Sequence, residues 1–152
     1  MDYMGKDHDR LDNLFKQYQA SKSNPEKAKI FFKEFKIGLQ RHIVWEEQIL
    51  FPLFEENTGM KESGPTAVMR MEHLQIGETL EKIHEKVRNL DTSTENLENY
   101  LLSILRPHND KEEGILYPWI DESINDEKRK AAFEQMKNLP EESYHKCCGH
   151  CH

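Results

Sequence analysis

Residues 42–52, HIVWEEQILFP, and residues 108–118, HNDKEEGILYP, are two copies of one pattern. Both follow the skeleton His-x-x-x-Glu-Glu-x-Ile-Leu-aromatic-Pro, with an offset of 66 residues between position 42 and position 108. On an α-helix, side chains four residues apart lie on the same face, one turn apart. Each copy therefore places an imidazole beside a carboxylate. Two such faces meeting in a helical core would form a mixed nitrogen and oxygen metal site.

The repeat also includes a helix upstream of each copy. Asp7-His8 in the first predicted helix matches Glu72-His73 in the third, and each of these histidines precedes the histidine of its copy by 34 or 35 residues. Each half is therefore predicted to be a helical hairpin, and two hairpins packed about a pseudo-twofold axis would form a carboxylate-bridged dinuclear site. The six candidate metal ligands are His8, His42, Glu46, His73, His108 and Glu112.

Length and composition predict one helix-rich domain. The chain has 152 residues, of which 36% are hydrophobic and 32% charged, and no apolar run approaches the roughly 18 residues of a membrane span. The net charge of −7 argues against nucleic acid as a partner. The first residues contain no apolar signal segment, so a cytoplasmic location is predicted.

Apolar residues at helical spacing predict an all-α fold, an antiparallel up-down-up-down four-helix bundle with a short C-terminal helix. The predicted helices cover about residues 7–21, 25–56, 65–90, 94–123 and 125–139, with Asp7 and Asn24 as N-caps. Pro52 is expected to kink or weaken the last turn of the second helix. Pro107 interrupts the fourth helix just before His108, where tertiary packing is expected to tolerate a kink, and this helix is expected to turn Ile115 and Trp119 inward. Residues 1–140 form the domain, and residues 141–152 form a tail rich in cysteine and histidine.

A helical histidine or glutamate can also be an ordinary core or surface residue. Six such residues at matching places in two halves, all in core stripes, would leave buried charges unpaired without a metal, and this favours the metal site. Each ligating histidine needs a partner for its second ring nitrogen. Asp12, Glu47 and Glu113 are available for this role.

The four separated histidines, with His-x-x-x-Glu on the second and fourth helices, resemble the hemerythrin-like domain, also called the HHE cation-binding domain. The resemblance covers roughly residues 3–122. It implies a non-haem centre of two iron ions, bridged by two carboxylates and a solvent-derived oxygen, with one position open for dioxygen or a similar molecule. When the ligand set of that family is transferred residue by residue, the resemblance implies that all six candidate residues bind the iron ions and that Glu46 and Glu112 bridge them.

The chain departs from that family pattern at one position. The oxygen-carrying members have a fifth histidine four residues after the histidine of the third helix, where this chain has Gly77. The matching position of the first half is Asp12, which either binds metal or orients His8. If no side chain replaces the missing histidine, one metal ion has an additional labile coordination position. Such a position would favour reactivity, sensing or iron handling over reversible oxygen storage. Some members place the second bridging carboxylate one residue later, at Glu113, but the internal repeat favours Glu112.

The three cysteines, Cys147, Cys148 and Cys151, all lie in the last six residues. Cys148-Gly-His-Cys151-His152 fits both a dithiol spacing and the c-type haem attachment pattern, but the haem alternative needs export and a surrounding pocket. A soft-metal site, a redox dithiol and a tail without a defined role remain open. One hypothesis is that the tail delivers or senses metal for the bundle.

The predicted function is that of a hemerythrin-like di-iron protein that binds or senses a small ligand, dioxygen or nitric oxide. Three alternatives remain. The first is an enzyme that reduces peroxide or nitric oxide with an electron donor. The second is an iron-trafficking or iron-centre-repair protein that passes iron to an acceptor. The third is a module that holds zinc structurally.

Overall fold

The computed structural model describes residues 2–61 and 63–140, and the cysteine tail lies outside these ranges. The helical elements are α1 (Asp2–Ala20), α2 (Pro25–Trp45), π1 (Glu46–Leu50), α3 (Phe51–Thr58), α4 (Pro65–Arg88), α5 (Glu95–Lys111), π2 (Glu112–Leu116), α6 (Tyr117–Ser123) and α7 (Asp126–Asn138). No strand occurs in the described ranges, so the prediction of an all-α fold is confirmed for them. No helix there is long and apolar enough to cross a membrane.

Aromatic contacts along α1 and α2 show that the first hairpin is antiparallel. The rings of Phe15 and Phe35 lie 4.8 Å apart, and those of Tyr18 and Phe32 lie 5.4 Å apart. Asn24 caps α2 as predicted, because its side chain accepts a hydrogen bond from the backbone N–H of Lys27. In contrast, the prediction that Asp7 caps α1 is wrong, since α1 begins at Asp2.

Contacts between the two hairpins also run antiparallel. Between α1 and α5, the hydroxyls of Tyr18 and Thr94 lie 2.6 Å apart at one end, and His8 faces Glu112 at the other. Along α2 and π1 against α4, Lys36 pairs with Glu81 at 2.7 Å, and Glu47, further along the chain, lies 2.6 Å from His73, which precedes Glu81. These contacts agree with the predicted bundle, whose complete up-down-up-down order stays a prediction.

The α-helical conformation widens into a π turn at the same place in each copy of the repeat, between α2 and α3 and between α5 and α6. The backbone N–H of Phe51 donates to the carbonyl of Glu46, and that of Tyr117 donates to Glu112, both five residues back. A proline follows each of these donors. Because proline lacks an N–H and its ring clashes with the carbonyl four residues earlier, the chain opens into a wider turn there. The distortion expected at Pro52 takes this form, whereas Pro107 lies within α5.

The second π turn, π2, changes which side chains are buried in π2 and α6. The structure buries Leu116 and Ile120, whereas Ile115 and Trp119 are 59% and 37% exposed. The prediction that Ile115 and Trp119 face inward is therefore wrong. A π turn takes one residue more than an α turn, so the inward positions after it move by one residue.

The apolar core is divided into two clusters. One cluster contains Leu11, Phe15, Phe35, Leu39, Ile76, Leu80, Leu101 and Leu105, among others. The other contains Met4, Ile49, Leu50, Phe51, Phe54, Met69, Leu116 and Ile120, together with Ala132 and Met136 from α7. The buried histidines and glutamates of the repeat lie between the two clusters along each helix. The fold thus places one polar layer inside an otherwise apolar core.

Candidate metal centre

The six residues predicted from the repeat lie in this polar layer, and each is at most 5% exposed. Their donor atoms form two groups, in each of which all atoms lie within 4.8 Å of one another. The first group contains Glu46, His73, His108 and Glu112, and the second contains His8, His42 and Glu112. Since Glu112 belongs to both groups, the arrangement offers two adjacent metal positions with a shared carboxylate.

Each carboxylate faces histidines from both halves of the repeat. Glu112 Oε1 lies 3.1 Å from His8 Nε2 and 3.3 Å from His108 Nε2. Glu46 Oε1 lies 3.2 Å from His73 Nε2 and 3.8 Å from His42 Nε2. Each carboxylate is therefore close to imidazoles from both halves, although only Glu112 belongs to both groups.

The opposite nitrogen of each histidine faces another carboxylate. The Nδ1 distances are 2.8 Å from His42 to Asp7, 2.6 Å from His73 to Glu47, 2.8 Å from His108 to Glu72 and 3.3 Å from His8 to Glu113. These contacts follow the repeat, because equivalent carboxylates serve equivalent histidines in the two halves. They leave the four Nε2 atoms facing the centre, and they fix the ring orientations that metal binding needs.

Of the three partners predicted for these nitrogens, Glu47 forms the hydrogen bond, to His73, whereas Glu113 lies 3.3 Å from His8 Nδ1 without forming one. Asp12 does not occupy that role, because its half-exposed side chain pairs with Lys16 at 3.1 Å. Asp7 and Glu72 were missed, although each directly precedes a repeat histidine and so carried a signal. Each reaches the histidine of the following long helix rather than its own neighbour.

Burial and close charges shift the pKa values of the layer. Burial opposes ionisation of Glu46, but the charge of His42 and the contact with His73 lower the pKa of Glu46 to about 2. Burial also opposes protonation of His73, yet its contacts with Glu46 and Glu47 raise its pKa to about 9. The pKa of His108 falls to about 4, chiefly because of burial. Without metal, the layer thus holds an ionised carboxylate beside a protonated imidazole.

Four side-chain atoms of the six candidate ligands have no hydrogen-bond partner among the described residues: Glu46 Oε1, Glu112 Oε2 and His73 Nε2, and also His8 Nδ1 on the side facing Glu113. Buried polar atoms normally have partners, and an orphaned one requires an explanation. A metal cation would satisfy carboxylate oxygens and imidazole nitrogens together. The donor set, with nitrogen and oxygen and no thiolate, suits iron and zinc, so the residues fit the metal that the repeat predicts.

Among residues 2–61 and 63–140, no fifth imidazole belongs to the two candidate ligand groups. Gly77 is partly exposed on α4, one turn after His73. The described group around His73 therefore contains one further imidazole, that of His108. Since Asp12 pairs with Lys16, it does not replace the missing side chain.

Replacing Asp7 with Asn tests the orienting carboxylates. Asp7 is buried and accepts from His42 Nδ1, so we expect the substitution to weaken metal affinity about 10- to 100-fold. Competition with a chelator of known affinity measures this change. Asp9→Asn, at an exposed position of the same helix, should leave the affinity unchanged. Equal affinities for the two variants would contradict the orienting role.

Comparisons with known proteins show what the chain is similar to. Curated relatives include the iron-sulfur cluster repair protein YtfE of Escherichia coli O81 (strain ED1a), 36% identical over 89 residues, and its counterparts in Escherichia coli O157:H7 and strain K12 / DH10B, each 35% identical over 89 residues. Each match covers 53% of this chain and 40% of the relative. No solved structure matches the chain. The family described as Hemerythrin HHE cation binding domain matches residues 1–120, and the chain therefore belongs to this family.

Proposed function

We propose that the chain holds a non-haem centre of two iron ions, within an antiparallel up-down-up-down bundle, and uses it to bind or sense dioxygen or nitric oxide. The observation that carries the proposal is the shared position of Glu112 in both candidate ligand groups. Glu46 would be the second bridge, because it too faces histidines from both halves. The ligands would be His8, His42, Glu46, His73, His108 and Glu112.

The choice of iron rests on the donor set and on the family. Imidazole suits iron, and shared carboxylates allow two cations to lie close together. When bound, the iron pair would supply the open coordination position and the redox chemistry that a diatomic ligand needs. The protein would contribute fixed imidazoles, ionised carboxylates and two apolar clusters that limit access of water.

A small cavity beside His8 supports a diatomic ligand. It lies between α1, α2 and α5, has a volume of about 30 Å³, and is lined by Leu11 and Leu105 as well as His8. A single water needs roughly 10–15 Å³ by the same kind of measure. The cavity therefore has room for a diatomic molecule, and a large organic substrate would not fit. Arg106 and Asn109 also line this cavity.

Metal analysis of aerobically purified protein, with an optical spectrum, tests the proposal. We expect about two irons per chain, as a carboxylate-bridged pair requires, and oxo-to-iron charge-transfer absorption. After reduction, nitric oxide should produce a saturable change in the optical and electron paramagnetic resonance spectra. One zinc per chain and no colour would contradict the di-iron centre. Steady turnover of peroxide or nitric oxide with a reductant would instead favour the enzyme alternative.

A second candidate function is repair of iron centres. The relatives named above are iron-sulfur cluster repair proteins, and each candidate metal position here has two imidazoles, which favours labile iron. Incubation of iron-loaded protein with an apo iron-sulfur protein, sulfide and a reductant would then restore the acceptor's cluster. If restoration is no faster than with free iron at the same concentration, this candidate is wrong.

A further inference from the structure

One side chain breaks the pseudo-symmetry of the polar layer. The aromatic position of the repeat is Phe51 in the first copy and Tyr117 in the second. Both rings lie against a repeat histidine: Phe51 stacks on His73 with centroids 5.8 Å apart, and Tyr117 on His8 at 5.7 Å. The two halves thus present the same ring in the same setting, and the second half adds a hydroxyl group.

The hydroxyl of Tyr117 points into the candidate metal centre. It lies 3.0 Å from His42 Nε2 and 3.3 Å from His8 Nε2, and it donates to Glu46 Oε2 at 3.0 Å. These are the metal-facing atoms of three candidate ligands. The tyrosine is 3% exposed, so the hydroxyl is held there by packing.

The spacing is that of atoms that share one metal ion. Two donors bound at right angles, each about 2.1 Å from a metal, are about 3 Å apart. The hydroxyl has this separation from the imidazole nitrogens of both His8 and His42, which belong to one ligand group. That group contains two imidazoles and the shared Glu112, so a further oxygen donor would extend an incomplete set.

A purely structural hydroxyl explains these contacts less well. Phe51 shows that the ring alone fills the equivalent space. A structural hydroxyl needs only one nearby polar partner away from the layer, such as the buried Thr94 hydroxyl that contacts Tyr18 at the other end of the bundle. Instead, among the described residues, the Tyr117 hydroxyl has hydrogen-bond contacts with the candidate ligands His8, His42 and Glu46.

We propose that Tyr117 is an oxygen ligand of the ferric ion held by His8 and His42, an inference that rests on the proposed di-iron centre. On binding iron, the Tyr117 phenol would exchange its O–H bond for a bond to the metal and would lose its proton to solvent, as other ligand protons are lost on metal binding. No change of oxidation state accompanies this step. An anionic oxygen ligand favours ferric over ferrous iron, so Tyr117 would make the two iron positions electronically unequal.

Spectra of the ferric full-length protein test the inference. We expect a visible phenolate-to-iron charge-transfer band, and resonance Raman excitation in that band should enhance tyrosine ring modes that shift when the protein contains ring-deuterated tyrosine. Tyr117→Phe should lose the band and the ring modes while keeping about two irons per chain. The control is Tyr18→Phe, a buried tyrosine outside the layer, which should keep both.

The possible outcomes separate the inference from the function on which it rests. A Tyr117→Phe protein with two irons and an unchanged spectrum would overturn the ligand assignment alone. Wild-type protein without an iron pair would overturn both. Reduction potentials give a second measurement, since loss of an anionic ligand should raise the potential in Tyr117→Phe and leave it unchanged in Tyr18→Phe.

Discussion

Replacing Glu112 with Gln is expected to lower bound iron from about two per chain to about one or fewer, because this carboxylate serves both metal positions. Glu112 is fully buried and lies 3.1 Å from His8 and 3.3 Å from His108. A neutral amide is similar in size but is a poor bridging ligand. The substitution therefore removes the shared anion and leaves the packing nearly intact.

Glu113→Gln provides a matched control for this prediction. Glu113 is the next residue, is 44% exposed, and lies 3.3 Å from His8 Nδ1, so its loss affects only the orientation of one ring. We expect that variant to retain two irons with an affinity about 10- to 100-fold weaker. Iron analysis after dialysis measures both effects, and circular dichroism of the metal-free proteins shows whether both fold. Full iron in Glu112→Gln and iron loss in Glu113→Gln would reverse the assignment of the bridge.

The internal repeat was sufficient to predict which side chains gather in the core. His42 and Glu46 share a helix face because they are one turn apart, and the same spacing recurs at His108 and Glu112. Burial of both pairs follows from the apolar residues in register with them. The sequence therefore predicted the all-α fold and the burial of these two His-x-x-x-Glu pairs without any knowledge of helix packing.

The π turns could not be predicted from helical periodicity alone. When the inward-facing positions of the helix are extrapolated at 3.6 residues per turn, they include Ile115, whereas the structure buries Leu116. Tyr117 was missed for the same reason. It lies nine residues after His108, beyond the positions seven and eight that continue a helical stripe, and the wider turn brings it back toward the centre. The available signal was the proline after each aromatic residue, at positions 52 and 118.

The orienting carboxylates depend on how the helices pack. Asp7 and Glu72 are adjacent to repeat histidines, but neighbouring residues on a helix do not face each other. Each is useful only because the following long helix brings its own histidine within 2.8 Å. That distance is set by the helix packing, which the sequence pattern does not specify.

The metal-free protein is expected to be most stable near pH 6.5 and to lose stability on both sides. His73 has its pKa raised from 6.5 to about 9 by its contacts with Glu46 and Glu47, despite burial. Its contribution is therefore complete below pH 6.5 and is lost as pH rises through 9. His108 has its pKa lowered to about 4, chiefly by burial, so its contribution is present above pH 6.5 and is lost as pH falls through 4. Glu46, with a pKa lowered to about 2, adds to the acid loss below pH 4.5.

Urea unfolding in the presence of a chelator measures the alkaline part of this profile. The shift of His73 corresponds to about 3 kcal/mol of unfolding free energy between pH 6.5 and 9.5, a large fraction of a typical domain's stability. His73→Gln should abolish most of this difference, whereas His84→Gln, a substitution on the same helix outside the polar layer, should keep it. Iron-loaded protein should show a flatter profile, because a metal-bound His73 has no Nε2 proton to lose. Equal stability of the metal-free wild type at the two pH values would mean that the buried imidazole and carboxylate are not an ion pair, and the orphaned atoms of the layer would then need another explanation.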